Sequence, residues 1–189
     1  MAKTILMKKI LLLLCLILGG NSLQAQNQDP WTEYMTPSKM HQMLEKYVGN
    51  FEMEISMDMG GQKNQFMVDS QHAMHLGGRF LELKQKGSMM GMDYEATTII
   101  GFNNSERQFA LTTITNMGTG TLSLFGPWDE PTKSANLSGQ LTNPLTKKPI
   151  NVRQNISFID EDSFLIESFD QEGNNPEVKT VQYKFSRKK

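Results

Sequence analysis

The stretch FEMEISMDM, Phe51 to Met59, alternates apolar and polar residues without a break. Successive side chains of a β-strand point to opposite faces, so Phe51, Met53, Ile55, Met57 and Met59 share one face, and Glu52, Glu54, Ser56 and Asp58 the other. A helix would mix the two sets. A slip of one residue would exchange a core face for an acidic one, and each buried apolar side chain is worth about 1.5 to 3 kcal/mol. The register of this strand is therefore strongly fixed, and its apolar face has to meet a core.

The same period continues to the C-terminus. MGGQKN, LGG, GSMMG, FNNSER, NMGTG, GPWDEPTK, TNPLTKKP, DEDS and QEGNNPE are turn signals, and they punctuate the chain roughly every 8 to 12 residues. The runs between them predict about ten strands. A meander of that length removes its exposed edges by closing, so the expected fold is all-β: a closed antiparallel up-and-down β-barrel. One short α-helix should precede it, with Thr36 as cap, Pro37 at the first helical position, and Met40, Met43, Leu44 and Tyr47 at helical spacing until Gly49 ends the run.

Lys3, Lys8 and Lys9 precede an apolar run, Ile10 to Leu18, that ends at Gly19-Gly20 with Ala25 beyond, the pattern of a cleaved secretory signal. The run is too short to cross a bilayer, which takes about 20 residues, so no stable membrane anchor is expected. The domain reading is a signal peptide over 1–25, a flexible leader over 26–35 and a single barrel over 36–189, with the mature chain periplasmic or extracellular. Removing 1–25 takes away the lone cysteine, Cys15, and three lysines. The remainder carries 16 basic against 20 acidic residues, which argues against a nucleic-acid partner. Without cysteine there is no disulfide and no thiolate chemistry.

In the last run, VQYKFSR, Val181, Tyr183, Phe185 and Arg187 share parity. An arginine continuing an apolar face needs a partner, and the ring of Phe51, directly after Gly49-Asn50, is a suitable one. This pairing of GNF with a C-terminal arginine resembles the calycin closure, with Phe51 in place of a tryptophan. LGGRFLE (76–82), GSMMGMDYE (87–95), GFNN (101–104), NMGTG (116–120), NPLTKKP (143–149) and YKFSRK (183–188) together resemble the bacterial family of unknown function numbered fifteen seventy-nine. That resemblance runs from about Met40 to the C-terminus. It implies an exported lipocalin-like barrel, with Gly49, Phe51 and Arg187 at its closure, and implies no activity.

The chemical inventory is thin. His72 and His75 are three apart on an expected strand, so they face opposite ways and cannot share a metal. His72 shares parity with Phe66, Val68 and Met74, which makes it either a satisfied interior histidine or a polar group facing a cavity. Arg79 shares parity with Leu81 and Leu83 and should point inward, paired with a glutamate or open to a ligand's carboxylate or phosphate. DEDS and WDEP read as turns, not calcium loops. No nucleophile elbow, metalloprotease helix or phosphate loop occurs, so neither an enzyme nor a cofactor is expected.

Methionine is the unusual component: 12 of the 14 fall between Met35 and Met117. Thioethers adapt to varied apolar ligands and can also hold Cu(I). The leading expectation is non-enzymatic binding or carriage of a small apolar or amphipathic molecule, with Met53, Ile55, Met57 and Met59 lining a roomy cavity and Arg79 or His72 fixing a polar end. The alternatives are a Met-rich Cu(I) site, and a packed barrel acting only through its surface.

Overall fold

Ten strands follow one another as a meander, and the last pairs with the first. The coordinates are a computed structural model that describes residues 29–59 and 61–189. The signal peptide expected over 1–25 lies outside the described residues. The strands are β1 (Gly49–Met59), β2 (Gln62–His75), β3 (Phe80–Met89), β4 (Met92–Asn103), β5 (Gln108–Thr115), β6 (Leu122–Asp129), β7 (Ser134–Thr142), β8 (Pro149–Asp160), β9 (Ser163–Glu172) and β10 (Val178–Arg187). All neighbouring pairs are antiparallel, and β1 pairs with both β2 and β10, so the barrel is closed.

Two helices precede the strands. The segment expected as an irregular leader contains α1 (Pro30–Met35). Asp29 accepts from the Thr32 amide at 3.2 Å, and Pro30 takes the first helical position, where a missing N–H costs nothing. The second helix, α2 (Lys39–Glu45), begins after Ser38, not after Thr36. The Ser38 hydroxyl accepts from the Met40 amide at 3.3 Å, while His41 Nδ1 accepts from the Ser38 amide at 2.9 Å, a capping box in which histidine fills the usual glutamate role. We predict that Ser38→Ala lowers stability by about 1 kcal/mol in denaturant unfolding.

The register puts alternate residues of every strand in a common interior. Met53 faces Phe185 and Val68, and Ile55 faces Tyr183 and Phe66. Phe51, Met53 and Ile55 are buried, Met57 is partly buried, and Glu52 and Asp58 are exposed, in keeping with the alternation of FEMEISMDM. The side chain of Met59 lies outside the described residues.

One end of the barrel is plugged by rings. Phe164 and Phe185 stack at 4.3 Å, Phe51 and His72 stack at 4.3 Å, and Tyr47, Phe102, Phe109, Trp128 and Phe158 complete the cluster. Leu44 of α2 is fully buried in the same core. A sequence pattern gives the parity of each ring but not how rings from distant strands stack. This plug fills much of the volume expected to be a roomy cavity. Interior space toward the opposite end amounts to about 60 Å³, enough for a few water molecules.

Candidate functional site

The closure seam accounts for two of the sequence-singled residues. Arg187 lies over the Phe51 ring, its guanidinium carbon 4.6 Å from the centroid. It also donates to the carbonyls of Val48 (2.7 Å), Lys46 (2.6 Å) and Glu161 (2.8 Å), and pairs with Asp162 at 2.7 Å. Gly49 has φ +130°, and a Cβ there would sit 2.9 Å from Arg187 Nη1, so only glycine fits beneath the guanidinium.

His72 lies on the other face of Phe51, 2% exposed. Its Nε2 meets the Ser70 hydroxyl at 2.8 Å and its Nδ1 donates to the Tyr47 carbonyl at 3.0 Å. Burial lowers its pKa to about 4; the bond to Tyr47 opposes the shift and Arg187 reinforces it. His72 is a neutral, satisfied part of the plug and does not orient a ligand in the cavity. The other histidines are also engaged. His41 caps α2, and the outward-facing His75 lies 2.9 Å from Glu82.

Arg79 does not point inward. The β2–β3 connection carries Leu76, Gly77 and Gly78 at positive φ, and that turn breaks the strand alternation before Phe80 resumes it. The exposed Arg79 guanidinium folds back onto the carbonyls of Leu76 (3.0 Å) and Gly77 (3.3 Å), and also donates to that of Met35. It borders a surface groove with His41, Phe80 and Phe102, at the plugged end. His72 and Arg79 are therefore not brought together over a cavity.

The polar groups that do converge inside lie in the other half of the barrel. The small cavity is bounded by Gln85, Tyr94, Thr98, Thr113, Gln154 and Tyr183, alongside the apolar Met53, Leu111, Leu122, Ile166 and Phe185. Thr98 and Thr113 hydrogen-bond each other at 3.0 Å, and Gln154 donates to Ser168 at 3.4 Å. Gln85, oriented by its neighbours, donates to the carbonyls of Ala96 (2.8 Å) and Leu83 (3.2 Å). The hydroxyls of Tyr94 and Tyr183 have no hydrogen-bond partner among the described residues, although burial raises the pKa of both and the two rings are close enough to interact electrostatically.

Above this floor, Met57, Phe66, Leu122, Leu141, Ile150 and Val181 are only partly buried although their register turns them inward. They form an apolar mouth at the end opposite α2. Pairing of β1 with β10 stops at Met57–Val181, and a groove of about 420 Å³ runs there along the outer face, lined by Glu54, Ser56, Asp58, Lys63, Gln65 and Gln182 together with Met57 and Val181. Of the methionines outside β1, Met89 is buried, whereas Met90 and Met92 are exposed on the β3–β4 turn. The sequence places Tyr183 on the inward face of the last strand without assigning it a site role and passes over Tyr94, Gln85 and Gln154, yet each is a polar group at an inward parity between apolar neighbours, which was the available signal.

A family model described as "Protein of unknown function (DUF1579)" matches residues 36–187. No curated protein matches the chain. Among solved structures, it is similar to the crystal structure of Rv2717c from M. tuberculosis, with a TM-score of 0.56 and 14% identity over 82% of this chain and 100% of that one. A redesigned beta barrel matches with a TM-score of 0.44 and 9% identity, over 77% of this chain and 95% of that one. The first likeness concerns the barrel fold alone.

Proposed function

The chain belongs to this family of proteins of unknown function, DUF1579, and on that premise we propose that it is an exported, non-enzymatic binding protein that takes a small amphipathic molecule into the open end of its barrel. The observation that carries this reading is the pair of partnerless hydroxyls, Tyr94 and Tyr183, at the floor of an apolar mouth. The two hydroxyls border open volume at the cavity and have no protein partner, so a ligand hydroxyl or amide that bonds them gains affinity and orientation. Met53 and Met57, flexible and polarizable, would pack against its apolar part and move to admit it.

Export is supported by the lysine-led apolar run at 10–18. A non-enzymatic role is supported by the engagement of His41 in a helix cap and of the buried His72 in the aromatic plug, which takes both out of reach of a substrate.

The test is a titration with 1-hexanol, followed through the ε-methyl NMR signals of the methionines. Saturable shifts at Met53 and Met57 are expected, and Tyr94→Phe should weaken binding about fivefold, the worth of about one hydrogen bond. Unmoved Met53 and Met57 signals up to the solubility limit of the alcohol would overturn the proposal.

A further inference from the structure

The charges that face the interior of this barrel are few and unevenly placed. Among the described residues, the strand register turns three charged side chains inward: Arg187 at the plugged end, and Asp170 and Glu172 of β9 toward the mouth. Glu172 is tied to the β7–β8 connection, accepting from Thr146 at 2.9 Å and Asn143 at 3.3 Å. Asp170 sits one inward step above Ser168, opposite Val152 and Val178. Burial raises its pKa, and the neighbouring hydroxyl of Thr180, the extra residue of the β10 bulge, which donates to the Ser168 carbonyl at 3.3 Å, opposes the rise.

Below it, Tyr94 is only 8% exposed, lines the cavity and has no partner for its hydroxyl. Tyr183 shares that cavity and feels the Asp170 charge. The nearest polar floor residue on the neighbouring strand is Gln154, which faces Ser168. Asp170 therefore lies two residues along β9, about 7 Å of backbone, from the Ser168–Gln154 pair.

We propose that the molecule taken by the mouth is an amine, its ammonium paired with Asp170 and its hydroxyl or amide directed at Tyr94 and Tyr183. This rests on the binding role proposed above and narrows it. A half-buried carboxylate next to apolar walls favours a cation that desolvates with it and disfavours an anion. A fatty carboxylate would enter a mouth holding two acids and no inward base. A short amino alcohol carries both groups on one short apolar chain and so matches a carboxylate and hydroxyls that face the same interior.

Calorimetric titrations with 5-aminopentan-1-ol, 1-hexanol and hexanoate, on the native chain and on Asp170→Asn, test this. Asparagine keeps the size of the side chain and removes its charge. The amino alcohol should bind the native chain at least tenfold tighter than hexanol, and hexanoate weakest. In Asp170→Asn that preference should fall to near unity while hexanol binding stays unchanged. If hexanol binds and the amine gains nothing, if the gain survives Asp170→Asn, or if hexanoate binds best, the amine assignment is wrong and the binding mouth stands. If neither hexanol nor the amino alcohol binds, both readings fall.

Discussion

Arg187→Ala should lower the unfolding free energy by about 3 kcal/mol, because one side chain carries several separate contacts across the seam. The guanidinium satisfies the carbonyls of Lys46, Val48 and Glu161, pairs with Asp162 and covers Phe51. The exposed ion pair with Asp162 contributes little, about 0 to 1 kcal/mol, and the ring contact about 1. The larger part is the set of carbonyls left without donors when the fork is removed. Arg187→Lys should resemble alanine more than the native chain, since one ammonium cannot reach acceptors spread over the α2–β1 connection and the β8–β9 turn. Urea unfolding of the three proteins, compared at equal m-values, measures this. An alanine variant within 0.5 kcal/mol of native, about the scatter of ordinary surface substitutions, would contradict it.

Acid should destabilise the same region through His72. Its folded pKa of about 4 lies below the ordinary 6.5, because burial disfavours the charged ring. Between those values the unfolded chain binds the proton and the folded chain does not. The contribution is therefore complete above pH 6.5, is lost as pH falls toward 4, and is flat below that. The difference corresponds to about 3 kcal/mol. Protonation would also place a second cation on the face of Phe51 opposite Arg187. His41, lowered by burial and then by Arg79, acts in the same direction, so the step needs assigning by substitution. Denaturant midpoints from pH 7 to 4 should fall steeply for the native chain and less for His72→Gln, which starts lower at pH 7. Parallel profiles for the two would remove His72 as the cause.

Much of the fold was legible in residue parity. FEMEISMDM specified which side chains of β1 enter the core, the recurrent turns specified ten strands, and the shared parity of Phe185 and Arg187 placed the latter over Phe51. The same reasoning put His72 inward and His75 outward. It failed where parity was carried through a turn: Leu76, Gly77 and Gly78 at positive φ reset the chain, so Arg79 does not continue the face of Leu81.

It also missed the converging interior tyrosines, for a different reason. Tyr94 on β4 and Tyr183 on β10 are distant in sequence and meet only when the cylinder closes, and the volume between them depends on stacking that no local pattern encodes. The short leader failed for a third reason: QDPWTE was read as loose, although an aspartate before proline is a helix start in its own right.

The seam between β1 and β10 has a consequence for timing. Val48 and Arg187 are 139 positions apart, yet one hydrogen bond joins them, so the barrel cannot be completed until the chain has been synthesised through β10. Contacts of such separation form late and slowly. A growing chain of this kind stays an open, incompletely paired sheet until its first and last strands can meet.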